Sequence, residues 1–256
     1  MPSARPGCYH APAVRIQLLS DLHFEFHRDG GRSFVESLEP TGVDVLVLAG
    51  DIAVGEAIPS ALELFCTRYA AVKVLYVLGN HEFYVAGRER VLRLVAQAVK
   101  HHDNLVWLDA GSVEIGDRRF VGTPLWFRRE PAADRFKPKV TDFAVIPEFE
   151  SWVYDENARA VSFLEAELHE GDVVVTHHLP SPSSVAPSFQ GHPLNPFFLC
   201  DVEPLIRSRK PALWFHGHTH CSMRYELGPT TVACNPFGYV GFELNEAFIP
   251  QLIFDV

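Results

Sequence analysis

Cysteine is scarce in this 256-residue chain: five residues, an odd number, with no two spaced CxxC. That pattern argues against a disulfide-stapled scaffold and against a thiolate zinc site, and it fits a reducing compartment. Only Cys221 and Cys234, on either side of an expected hairpin, are placed where a bridge is conceivable. No stretch approaches the roughly 18 uncharged apolar residues of a membrane helix. The first fifteen residues lack the apolar segment of a secretory signal. The expectation is a cytoplasmic protein without a membrane partner, with residues 1–12 as a flexible N-terminal segment and residues 13–256 as one domain.

Basic residues are also few. Lys and Arg number 22 against 32 Asp and Glu, a formal charge of -10, and no basic stripe is evident. Such a surface repels polyanions, so nucleic acid is disfavoured as a partner. A small phosphate ester is not excluded, because bound cations would dominate the field at a metal site. There is no internal repeat and no low-complexity segment. With 47% hydrophobic and 21% charged residues the chain can bury a sizeable core.

Strand and helix patterns alternate. Val14 to Leu19, Val43 to Ala49, Lys73 to Leu78, Asp172 to Thr176 and Ala212 to Phe215 read as strands, most of them apolar enough to be covered on both faces. Asn104 to Trp107 adds a short one. Helical spacing runs through Glu56 to Tyr69, Arg88 to Lys100 and Asn157 to Leu168. This alternation predicts an α/β core with parallel strands. Hairpins are expected over Ser112 to Val121 and around Gly228-Pro229. A closing strand is expected within Phe248 to Phe254, at an edge because Pro250 cannot donate to a ladder. Two long stretches, Trp126 to Glu150 and Leu179 to Phe198, are irregular; loops of that length are commonly functional or mobile.

Five short polar motifs interrupt this pattern, mostly where a strand ends: Asp21-Leu22-His23, Gly50-Asp51, Gly79-Asn80-His81-Glu82, Thr176-His177-His178 and Gly217-His218-Thr219-His220. In α/β sheets the ligand crevice lies beyond the carboxyl ends of the strands. Together the motifs offer the Asp, His and Asn groups that two neighbouring cations need, and two-metal sites of this kind mostly cleave phosphate esters. Residues two apart in extended backbone point the same way, so Asp21 with His23, and His218 with His220, can each serve one cation. Asp51 can bridge two cations through its two oxygens. Asn80 offers a neutral oxygen, and His81 beside it can protonate a leaving oxygen, with Glu82 as its orienting partner. Of His177 and His178 only one can face the crevice; His177 is favoured as the ligand and His178 as substrate-facing or supporting. His216 reads as structural, with a contact to a neighbouring loop open. Arg128 and Arg129 read as solvated, and Phe189, Phe197 and Phe198 as ordinary loop packing. The mixed donor set suits Mn, Fe, Zn or Co better than Ca.

The five blocks in this order resemble the calcineurin-like metallophosphoesterase superfamily, over nearly the whole chain. The resemblance implies two packed mixed β-sheets flanked by helices, a four-layer αββα sandwich. It implies Asp21, His23 and His220 as ligands of one metal, Asn80, His177 and His218 as ligands of a second, Asp51 as the shared carboxylate and His81 as the catalytic histidine. Protein phosphatases of the superfamily continue the second block as GDxxDRG. Here the chain reads Gly50-Asp51-Ile52-Ala53-Val54-Gly55-Glu56, so it looks more like the compact bacterial-type phosphoesterases. Gly122 to Trp126 and Cys234 to Tyr239 are also similar to that subgroup. The expected activity is hydrolysis of a small phosphomonoester or phosphodiester by direct attack of a metal-bridging hydroxide, with two divalent transition-metal ions as cofactors. The competing readings are a nuclease of the same fold and a non-catalytic scaffold that keeps the metal site.

Overall fold

In the computed structural model, which describes residues 13–256, two β-sheets stack face to face. The first has the order β13-β1-β2-β3-β4, built from β1 (Arg15–Leu19), β2 (Val45–Ala49), β3 (Lys73–Val77), β4 (Leu105–Trp107) and β13 (Ile253–Asp255). Strands β1 to β4 are parallel, and β13 closes one edge antiparallel to β1. The closing strand is thus an edge strand, as expected, and it starts after Pro250. The second sheet has the order β5-β6-β7-β8-β10-β9. Its strands are β5 (Gly111–Ile115), β6 (Arg118–Gly122), β7 (Val173–Val175), β8 (Leu213–His216), β9 (Met223–Leu227) and β10 (Thr230–Cys234). Here β6, β7, β8 and β10 run parallel, and the two expected hairpins supply antiparallel β5 and β9. A two-stranded ribbon joins β11 (Gly238–Tyr239) to β12 (Glu243–Leu244).

The period-two alternation of each apolar strand divides the core. Val45, Val47, Leu75 and Val77 turn inward and meet Phe120, Val173, Val175 and Phe215 of the other sheet. Their neighbours Leu46, Leu48, Val74 and Tyr76 turn outward onto Leu62, Phe65, Val91 and Val95. Those four lie on α2 (Ile58–Arg68) and α3 (Arg88–His101). On the far side Val121, Val174 and Trp214 pack against Leu164, Leu168 and Ile206. Leu164 belongs to α5 (Val153–Glu167) and Ile206 to α6 (Glu203–Arg209). The result is helix, sheet, sheet, helix. Both sheets are sandwiched, which is why their strands read as continuous apolar runs; each fully buried Val or Leu contributes about 1.5–3 kcal/mol.

Three short helices have no counterpart in the sequence reading: α1 (Arg32–Ser37), α4 (Thr141–Val145) and α6. Six, five and seven residues are too few to display a helical period. Cys221 and Cys234 are free thiols, so the conceivable bridge is not formed. Among the described residues no helix is long and apolar enough to cross a membrane. The expected flexible segment 1–12 lies outside the described residues.

Candidate metal centre

Each of the five motifs follows a parallel strand: Asp21 after β1, Asp51 after β2, Asn80 after β3, His177 after β7 and His218 after β8. The carboxyl ends of both sheets meet at one edge, where the Nδ1–H of His177 donates to the Ala49 carbonyl across the sheets at 2.9 Å. The chain turns sharply there. Asp21, His23, Asp51 and His218 all adopt positive φ, at 52°, 48°, 57° and 67°. Such backbone costs about 1–3 kcal/mol per residue and persists only where surroundings enforce it, a pattern concentrated at functional sites. Gly50 (φ 87°) permits the closest approach: a Cβ there would come within 2.8 Å of the Gly79 amide nitrogen and collide with the His177 ring.

The donor atoms converge in three overlapping groups: Asp21, His23 and His220; His23, Asp51 and His81; Asp51, His177 and His218. Within each group the ligand atoms lie within 4.8 Å of one another. His23 and His220 face each other Nε2 to Nε2 at 3.2 Å. With Nδ1 of His177 committed to Ala49, its Nε2 points at Asn80 Oδ1 (3.1 Å) and Asp51 Oδ2 (3.4 Å). Asp21 uses Oδ1 to accept from the His218 amide at 2.9 Å, whereas its Oδ2 and the Nε2 of His218 are buried without a hydrogen-bond partner. Lone pairs that converge in a largely buried site, two of them unpartnered, fit divalent cations. All seven residues expected as ligands are here.

Charge follows geometry. Burial pushes the Asp51 carboxyl up, but His177, His81 and His23 around it outweigh this and hold it well below the usual range. Burial raises Asp21 to about 6, against the pull of His177 and His220. Burial lowers His177, but Asp51 and Asp21 more than offset it and lift the imidazolium to about 10. In the metal-free protein that proton therefore stabilises the fold fully below pH 6.5, and the contribution fades as pH rises through about 10. A cation at Nε2 must displace it. Metal loading at pH 7 is accordingly expected to release protons, with apparent affinity rising as pH climbs toward 10. Calorimetric titration in two buffers of different ionisation enthalpy measures the release; heats that do not depend on buffer would contradict it.

His81 is held from both sides. Its Nδ1 lies 3.0 Å from Glu25 Oε1 and its Nε2 lies 3.2 Å from the Tyr239 hydroxyl, and the Tyr84 ring stacks on it at 4.0 Å. Burial lowers its pKa, but Asp51 and Glu25 reverse this and leave it raised. Glu82 does not orient His81. Its Oε2 accepts from the amides of Asp51 (3.1 Å) and Gly79 (2.8 Å), and its Oε1 from the amide of Ile52 and the hydroxyl of Tyr76, both at 2.8 Å. It fastens the ends of β2 and β3 together, and Glu25 takes the place expected for it. Burial raises Glu25, but its bonds to His23 and His81 outweigh that and bring it down to about 2.

His178 is fully buried between Trp126 and His218, with both ring nitrogens unpartnered. His216 is structural and does contact the neighbouring loop, through Ser184 Oγ at 3.0 Å. Arg128 and Arg129 are exposed. Four residues at the site were not anticipated. Glu25 extends the alternation of Asp21 and His23 by one step, a signal present in the sequence. Tyr84 and Asp142 carry none, and Tyr239 ends the segment Cys234 to Tyr239, whose likeness to the bacterial-type subgroup assigns it no role. Asp142 accepts from Asn80 Nδ2 at 3.0 Å and from the Tyr84 hydroxyl at 2.7 Å, which turns the Asn80 carbonyl toward His177.

Solved structures share this architecture. The phosphopantetheinyl hydrolase PptH from Mycobacterium tuberculosis superposes with a TM-score of 0.69 at 21% identity, over 89% of this chain and 90% of that one. The protein TT1561 of Thermus thermophilus gives 0.57 at 16% identity, over 88% and 89%. At these identities the likeness concerns the fold. No curated protein matches the chain. The calcineurin-like phosphoesterase profile, however, matches residues 14–222, a span that holds all five motifs and every strand end that carries them. The chain belongs to the calcineurin-like phosphoesterase family and is a metal-dependent phosphoesterase.

Proposed function

We propose that this phosphoesterase is dinuclear and hydrolyses a phosphomonoester or phosphodiester of a small molecule in one direct displacement. The observation that carries the reading is the overlap of the three ligand groups, in which Asp51 connects His23 of the first group to His177 and His218 of the last. Asp21, His23 and His220 would hold one divalent cation, and Asn80, His177 and His218 the other, with Asp51 shared. Mn, Fe, Zn or Co suits this donor set. Such a pair supplies charge stabilisation at the phosphoryl oxygens and a water of lowered pKa.

The protein's own contribution centres on His81. Glu25 and Tyr239 sit at the two ring nitrogens, and the nearby carboxylates of Asp51 and Glu25 favour the protonated ring. His81 is thus prepared to donate a proton to the leaving oxygen. Asp142 keeps the amide of Asn80 oriented, and the buried rings of His178 and Trp126 back His218.

The cavity over this centre supports a small substrate. Its lining carries one permanent cation, Lys139, against the carboxylates of Asp51, Asp142 and Glu243. A polynucleotide needs a basic track, and none lines this opening. Direct displacement predicts inversion at phosphorus. Hydrolysis of a chiral phosphorothioate ester in labelled water reads this out, and retention would point to a covalent enzyme intermediate and sink the proposal.

A further inference from the structure

The cavity over the metal centre, about 360 Å³, is within the range of small-molecule sites. Its floor is polar, formed by Asp51, Asn80, His81, His218 and His220. Its wall is not. Val140, Leu179, Val185, Leu194, Phe197 and Phe198 enclose the other side, and hydrolysis by itself does not require them. Most of these residues come from the irregular stretch after β7. That stretch is anchored rather than loose: Ser184 bonds His216, Leu179 bridges Leu199, and the Gln190 amide donates to the Val185 carbonyl at 2.8 Å.

The mouth continues the same chemistry. Six large hydrophobic side chains are exposed among the described residues: Val85, Phe189, Phe198, Phe242, Leu244 and Ile249. Phe189 and Phe198 line the cavity, Phe242 and Leu244 flank the lining residue Glu243, and Val85 follows the lining residue Tyr84. Phe242 also packs edge-on against Phe26, and Phe26 against the lining Tyr239. Scattered exposed hydrophobics are ordinary, but Phe189 and Phe198 are exposed on the cavity lining itself and Phe242 is joined to that lining through Phe26 and Tyr239.

The occupant can be narrowed. Away from the metal ligands the lining has one permanent cation, Lys139, against Asp142 and Glu243, which favours an uncharged arm over a second phosphate there. Phe198 is tilted onto the His218 ring and Phe197 is buried edge-on against Phe127 and Phe143. Neither is free to form a flat sandwich, and the remaining apolar residues of the wall are aliphatic (Val140, Leu179, Val185, Ala186 and Leu194) apart from the exposed Phe189. We propose that this wall is a subsite for an uncharged aliphatic arm of the phosphate ester, with Phe189 and Leu194 setting the preference for arm length. The proposal rests on the hydrolytic reading above.

The test is binding rather than turnover. Mn²⁺-loaded protein is titrated calorimetrically with methyl-, butyl- and octylphosphonate, and with a butylphosphonate that ends in a carboxylate. Affinity is expected to tighten about threefold per methylene between methyl and butyl. Octylphosphonate should bind roughly 100-fold tighter than methylphosphonate, and the terminal carboxylate should cancel the gain. Phe189→Ala and Leu194→Ala should each weaken octylphosphonate several-fold and leave methylphosphonate unchanged. A flat series, or a gain that survives both substitutions, overturns the subsite. A flat series alongside turnover of bis-p-nitrophenyl phosphate removes the subsite alone, whereas failure of every phosphonate to bind contradicts the hydrolytic reading as well.

Discussion

His81→Ala is expected to lower kcat of the metal-loaded protein by about 10²–10⁴-fold, the usual contribution of a positioned general acid, while bound metal stays at the wild-type level. The two halves of this expectation come from different features. The ring lies beside the ligand groups, with both nitrogens taken by Glu25 and Tyr239, so its removal leaves the seven proposed ligands in place. In the proposed mechanism a proton from this ring is the one the leaving oxygen takes. The loss should therefore be steepest for substrates with poor leaving groups and shallow for p-nitrophenolate, which departs without help. Glu25→Gln should give a smaller loss, about 10–100-fold, because it leaves the ring present and misaligned. Metal content by elemental analysis, measured beside kcat for the two leaving groups, checks both halves. A His81→Ala protein that has lost its metal would make the residue a ligand instead.

Glu82→Ala should be the most damaging single change to the fold around the site, costing about 3–5 kcal/mol. The carboxylate is fully buried and accepts four hydrogen bonds, three of them from backbone amides at the ends of β2 and β3. Without it Asp51, Ile52 and Gly79 keep buried N–H groups with nothing to receive them, and the Tyr76 hydroxyl loses its acceptor. Native stabilities are about 5–15 kcal/mol, so the effect is a large fraction of the whole. Glu82→Gln should recover only part of it, since the amide presents a donor to donors. Denaturant unfolding should show a lower midpoint with an unchanged slope, and the metal content should fall although Glu82 is no ligand. A loss under about 1 kcal/mol with metal retained would contradict this account.

The fold and the proposed ligands were legible in the sequence for the same reason. Strands covered on both faces must be apolar throughout, so β2, β3, β7 and β8 announce themselves, and the polar residues that end them stand out against that background. Each motif was local, two to four residues long, and needed no knowledge of what lay across the crevice. The residues that were missed act across distance. Asp142 sits in a five-residue helix within an irregular stretch, yet it orients Asn80 62 positions earlier. Tyr239 reaches His81 over 158 positions. Glu82 was misread because adjacency in the chain suggested partnership with His81, whereas the 3-10 turn at His81–Phe83 directs the carboxylate back under the strand ends. Phe197 is mostly the loop packing expected of it, but Phe189 and Phe198 present exposed faces to the cavity, a difference set by where the anchored loop lies and not by composition.

In the proposed function Asp51 and the six side chains on its two sides hold a pair of cations that hydrolysis requires. The most direct measurement strips the protein of metal, reloads it with Mn²⁺, and follows bound metal per chain together with turnover of bis-p-nitrophenyl phosphate and p-nitrophenyl phosphate. The predicted result is two metals per chain, turnover that appears only as they load, and loss of both in Asp51→Asn. Turnover that persists in stripped protein, or in Asp51→Asn with its metals gone, would contradict it.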